Sequence, residues 1–129
     1  MSNIAAGKET LVVTGSIAAG SGVSLSSNTP KTVTSVLLDP GTYDIEGTIG
    51  ITPSVGSTSL VGGASLVDNT LGGEDERALF FAAIAGISQL DFPRKRHTFT
   101  VQTRVYLIGQ SAFASGTCVA WGTINAFKV

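Results

Sequence analysis

A chain of 129 residues fits one domain and leaves little room for two. Eight basic and nine acidic residues give a formal net charge of -1, which excludes a general nucleic-acid or acidic-membrane binder. A hydrophobic content of 43% excludes disorder, while charged residues at only 13% cover the surface thinly, so part of that surface is expected to meet another protein.

Residues 1–9 read as a short arm ahead of one domain over 10–129, an arm ordered only by docking on a neighbour. The start lacks the basic opening and apolar core of a signal peptide, and no apolar run reaches the roughly 20 residues that span a bilayer. Synthesis in a host cytoplasm without membrane insertion is the expectation. Turn signals then recur every 8 to 12 residues or so, the spacing of sandwiches and barrels. Asp39-Pro40-Gly41 is the clearest, with proline fixing φ and glycine free to take φ > 0. Between the turns, Thr10 to Ile17, Thr32 to Leu38, Thr42 to Ile51, Ser57 to Val67, His97 to Val101, Arg104 to Phe113 and Thr117 to Phe127 read as strands, making the fold all-β.

The run from Thr42 alternates cleanly. Tyr43, Ile45, Gly47, Ile49 and Ile51 share one face, and Asp44, Glu46, Thr48 and Gly50 share a wet one. Asp44 and Glu46 lie roughly 6.5 to 7 Å apart along such a strand, a spacing compatible with paired catalytic carboxylates. Two acids on a wet face are ordinary, however, and no hydrolase is expected. Nor do Asp44, Glu46 and Asp68 have the loop spacing of a calcium site.

Glu74 to Ala85 is ambiguous. Acidic residues ahead of good helix formers read locally as a helix start, with Gly86 as its stop. Further on, Arg94-Lys95-Arg96-His97 follows Pro93 and reads as a solvated loop. Residues 1–77 sum to -5 and residues 78–129 to +4, so a sharper expectation is that Arg94, Lys95 and Arg96 pair with an acidic patch on a neighbouring subunit or capsid. In Val105 to Gly109 both faces are apolar, as they are in Thr117 to Phe127, and a chain this small is expected to cover the second face with another subunit. Tyr106, Ile108, Phe113, Trp121 and Phe127 are therefore the candidate interface residues.

Catalytic motifs are missing. There is no Gly-x-Ser-x-Gly elbow and no phosphate loop, and the single His97 has no patterned serine partner. The single Cys118 sits in an apolar run as a small buried hydrophobe, with no disulfide partner and too few companion ligands for a metal. No enzyme and no cofactor is expected.

Several blocks carry a resemblance. Pro93 to Phe113 combines a basic residue, a Thr-rich strand, Val105-Tyr106-Leu107 and an alternating Gln-x-x-Phe segment. Gly122-Thr-Ile-Asn-Ala-Phe-Lys-Val129 closes the chain, while Val36 to Gly47 supplies a strand, a Pro/Gly turn and an aromatic-Asp strand, and Thr58 to Ser65 fits the middle. Together these resemble small tailed-phage virion proteins over about Leu25 to Val129, although Phe127-Lys128 stands where that group more often carries two basic residues. The resemblance implies a jelly-roll β-sandwich like that of tumour necrosis factor, a homotrimer with aromatics near its three-fold axis, and a strand over Ala78 to Ala85. It also implies a bacteriophage virion structural protein. With no stalk in view, the first expectation is a capsid decoration (cement) protein on the virion surface. It would bridge subunits of the major capsid protein, with Ile4, Lys8, Arg94, Lys95 and Arg96 as candidate contacts. The alternative is a receptor- or glycan-binding head of a tail fibre or spike, carrying an exposed loop aromatic such as Phe92.

Overall fold

Alternating apolar and polar residues build two antiparallel sheets packed face to face. The computed structural model describes residues 10–73 and 76–129. The strands are β1 (Thr10–Ile17), β2 (Val23–Ser24), β3 (Lys31–Leu38), β4 (Gly41–Pro53), β5 (Leu60–Ser65), β6 (Arg77–Phe80), β7 (Ser88–Phe99), β8 (Thr103–Gln110) and β9 (Cys118–Lys128). The first sheet runs β1-β9-β4-β7, with β2 also on β9, and the second runs β3-β8-β5-β6. The pairings are nested along the chain: β1 with β9, β3 with β8, β4 with β7 and β5 with β6. A long antiparallel ribbon rolled on itself in this way is a jelly roll.

β4 organises both the core and the outer face of the first sheet. Its alternation places Tyr43, Ile45, Ile49 and Ile51 in the core, each at most 2% exposed. They meet Val105 and Leu107 of β8, Leu60 of β5 and the small residues Cys118, Ala120, Ile124 and Ala126 of β9. Full burial of each large aliphatic side chain contributes roughly 1.5–3 kcal/mol, which sets the register of this strand. The Asp39-Pro40 turn leads into Gly41 at φ 150°, a conformation that glycine adopts without strain. Tyr43 locks the turn by donating its hydroxyl to the Asp39 carbonyl at 2.8 Å.

Three expectations need correction. Arg94 to His97 is no loop, because β7 begins at Ser88 and runs through the whole cluster to Phe99. Pro93 is accommodated because β7 is an edge strand and carries a bulge there, with Pro93 and Arg94 opposing Glu46 alone. Glu74 and Asp75, at the expected helix start, lie outside the described residues; over 76–85 the locally favoured helix gives way to a strand at Arg77–Phe80, shorter than the strand expected over Ala78 to Ala85, where Ala78 and Leu79 complete the edge of β5. Residues beyond Phe80 leave the sheet, and Ile84 returns as an isolated bridge to Ser57. The strand expected over Ser57 to Val67 shortens to Leu60–Ser65.

The apolar outer face of β8 is also covered differently from expectation. Ile108 is fully buried within the single chain. Ile108 faces Thr32 across β3 and Gly63 across β5. The segment after β5 crosses from β5 over β8 to β3, where Asn69 Oδ1 accepts the Thr32 amide at 2.9 Å and its own amide donates to Thr32 Oγ1 at 2.9 Å. Thr32 Oγ1 also donates to the Asp68 carboxylate. The chain thus supplies the second cover itself, and Ile108 is not available to a neighbour.

Candidate functional site

The outer face of the first sheet is organised in rungs, one outward residue from each strand. Next to the turn end lies Phe127, opposite Asp44, which is opposite Arg96. The following rung holds Thr14, Asn125, Glu46 and, through the bulge, Arg94; the one after it holds Ser16, Thr123, Thr48 and Asp91. Beyond these comes Trp121, whose indole lies across Gly50 because any Cβ there would collide with the ring. Trp121 Nε1 donates to Thr52 Oγ1 at 3.0 Å.

The charges of Asp44, Glu46, Arg94 and Arg96 on this face are matched inside the chain. Arg96 binds Asp44 through two hydrogen bonds, Nε to Oδ1 at 2.9 Å and Nη2 to Oδ2 at 3.1 Å. Arg94 donates from Nε to Glu46 Oε1 at 2.7 Å, approaches Asp44 at 4.0 Å, and stacks over the Phe127 ring 4.6 Å from its centre. Lys95 and His97 face the other way, 3.7 and 3.4 Å from the two carboxylate oxygens of Glu76. Two acids of the acidic first half, Asp44 and Glu46, therefore meet two bases of the basic second half, Arg96 and Arg94, across β4 and β7. Asp44, expected on a wet face, is buried beneath the guanidinium groups. Arg96 hydrogen bonding holds the Asp44 carboxyl below the ordinary carboxylate range, outweighing the opposing effect of burial, and raises Arg96 in return. Both acids of the supposed catalytic pair are thus engaged by arginines. Asp68 lies across the molecule, on the second sheet, and shares no cation site with them.

The remaining sequence candidates fall on separate surfaces. Trp121 and Phe127 lie on the outer face of the first sheet, at opposite ends of the polar rungs, whereas Tyr106 is half-buried on the outer face of the second. Phe113 sits half-buried in the β8–β9 loop, packed against the core. Phe92 is 3% exposed and part of the core, which removes it as a loop aromatic for a ligand. Ile4 and Lys8 lie outside the described residues. Cys118 is fully buried, and burial pushes its thiol up, as suits an inert packing residue.

Two surfaces were not singled out from sequence. One is the end of the sandwich where the 81–87 loop crosses, tied to Ser57 by backbone hydrogen bonds of 2.9 and 2.7 Å through Ile84. Leu79, Phe80, Phe81 and Ile87 are exposed there, Phe81 by 70%, with Val55 nearby at 67%. A shallow groove of about 350 Å³ opens among Val55, Ala83, Ile84 and Phe113. Consecutive Phe80-Phe81 was the available signal, but a strand or helix reading absorbed both. The other surface is a polar depression on the rungs of the first sheet, between Glu46, Thr48, Asp91 and Asn125.

No protein-family model and no curated protein matches the chain. Its fold is similar to that in a solved structure of the T13 particle of infectious bursal disease virus. That match has a TM-score of 0.53 and 16% identity over 90% of this chain and 30% of that one. A structure of the Gx strain of the same virus gives 0.52 and 14%, over 90% and 32%. The chain thus spans about a third of the length of those viral chains, and the likeness is one of fold.

Proposed function

We propose that this chain is a structural protein of a virion, a jelly-roll module that decorates a bacteriophage capsid and holds neighbouring capsid subunits together. The observation that carries this is the apolar strip Leu79-Phe80-Phe81 with Ile87 and Val55. Single exposed hydrophobes are ordinary, but five along one short strand and the loops beside it mark a protein contact. The sparse charge of the sequence and the fold shared with viral-particle chains support the same reading. Phe113, at the adjoining groove, is the interface candidate we retain, and self-association as a trimer through this end is part of the proposal. The function is mechanical: area buried across several subunits raises the free energy needed to part them.

Gold-labelled antibody against the chain, counted by position on particles of the virus that encodes it, tests the location. Label over the head supports decoration; label confined to the tail tip replaces it with the receptor-binding reading. Phe81→Ser and Ile87→Ser together should abolish binding of the purified chain to capsids lacking it, while leaving the circular dichroism spectrum of the folded chain unchanged. Undiminished capsid binding by that variant would overturn the assigned surface.

A further inference from the structure

The polar depression on the first sheet has no part in that assembly role. It lies on a different face from the apolar strip, holds about 350 Å³, and is bounded by the two middle rungs. Its shape has a backbone origin. At Gly47 the strands β4 and β9 approach so closely that a Cβ would overlap the Thr123 carbonyl oxygen. On the other side the Pro93-Arg94 bulge turns Arg94 toward Glu46 and out of the strand's regular course. The result is a shallow hollow with hydrogen-bonding walls.

The walls present complementary groups. Asp91 is exposed and, among the described residues, makes no hydrogen bond or ion pair, so its carboxylate offers acceptors. Across β4 it faces Thr48, whose hydroxyl both donates and accepts. Asn125 uses its Oδ1 to accept the Thr14 hydroxyl at 2.9 Å, which directs the amide NH2 away from that bond as a donor. One rung along, the Trp121 ring is half-exposed and rigidly set, being wedged over Gly50 and tied to Thr52. Closely spaced acceptors and donors beside a fixed aromatic plane match a molecule with adjacent hydroxyl groups and an apolar C–H face. The Arg94 guanidinium is committed to Glu46, so two carboxylates and one engaged cation leave the lining net negative. That charge rejects phosphate, sulfate and carboxylate ligands.

From this arrangement we infer that the hollow between Asp91, Thr48 and Asn125 binds a neutral saccharide, with Trp121 as its stacking platform. The sugar hydroxyls donate to Asp91 and accept from the Asn125 amide. The inference stands whether or not the chain decorates a capsid.

Trp121 is the only tryptophan, so the intrinsic fluorescence of the full chain reports directly on the neighbouring rung. Titration would use methyl glycosides of glucose, mannose and galactose, N-acetylglucosamine oligomers, and sialyllactose as the acidic comparison, with calorimetry as a second readout. The expected result is saturable binding of at least one neutral sugar and none of sialyllactose. Asp91→Asn and Asn125→Ala should each weaken that binding about tenfold or more. Asp91→Asn is at an exposed site and should retain the wild-type melting temperature, which keeps the comparison valid if Asn125→Ala folds poorly. No saturable binding of any neutral sugar by either readout would overturn the inference. So would preference for sialyllactose, or undiminished affinity in Asp91→Asn.

Discussion

Ile49 spans the sandwich at a place where the facing sheet has no side chain. A Cβ built on Gly109 of β8 would lie 3.0 Å from Ile49 Cδ1, 3.3 Å from Ala120 Cβ and 3.4 Å from Val33 Cγ2. The tightest of these contacts is with one terminal methyl group. Gly109→Ala should therefore cost about 1–3 kcal/mol in overpacking, offset by about 0.4–1 kcal/mol from the narrower freedom of the unfolded chain. Ile49→Val removes Cδ1 and alone should cost about 0.5–1.5 kcal/mol. In the double variant the new methyl occupies the vacated space. The combined loss should then fall short of the sum by roughly 1 kcal/mol, a coupling expected only between touching residues. Urea unfolding of the four proteins, with a common slope confirming an unchanged two-state transition, gives the cycle directly. Additivity to within about 0.5 kcal/mol would refute the placement of Ile49 against Gly109.

Asp44→Asn should flatten the acid end of the stability profile. Because the folded carboxyl is held below its unfolded value near 3.9, its contribution is present above that value and fades as pH falls through the lowered one. Urea midpoints that fall equally steeply with acid in both proteins would count against the Arg96 pairing. Asn69→Ala removes the acceptor of the Thr32 amide, at a cost of about 0.5–1.5 kcal/mol, and should make the 66–73 segment more sensitive to limited proteolysis; unchanged stability and protection would remove the account of how Ile108 is covered. Cys118 should resist a water-soluble thiol reagent in the native protein and react fully in urea, and rapid native labelling would contradict its burial.

The core was legible because the large apolar residues of β4, Tyr43, Ile45, Ile49 and Ile51, all fall on one side of its alternation. The Asp39-Pro40-Gly41 turn was legible because proline fixes φ and glycine alone takes a positive φ without strain, as Gly41 does. Less legible was anything that depends on a distant segment. Ile108 looks like an interface residue until the 66–73 segment, far away in sequence, is placed over it. Pro93 reads as a turn until its strand is known to be an edge, where a missing N–H costs no ladder bond. The charge segregation between the two halves was visible, but strand order alone decides that Asp44 and Glu46 fall beside Arg96 and Arg94. As for the hollow, Thr48, Asp91 and Asn125 come from three strands, and no spacing in the sequence connects them.

The flank where β6 and β7 lie side by side carries two unlike sheet edges. β7 has a proline, a bulge and three consecutive cationic residues, features that keep a foreign strand from adding to a sheet. β6 is only four residues long and too short to template an extended ladder. Its apolar side chains can therefore be buried by docking without opening a route to fibrils. On the role proposed above, copies crowded on a particle with so little charge to hold them apart would have particular need of that separation between contact and runaway stacking.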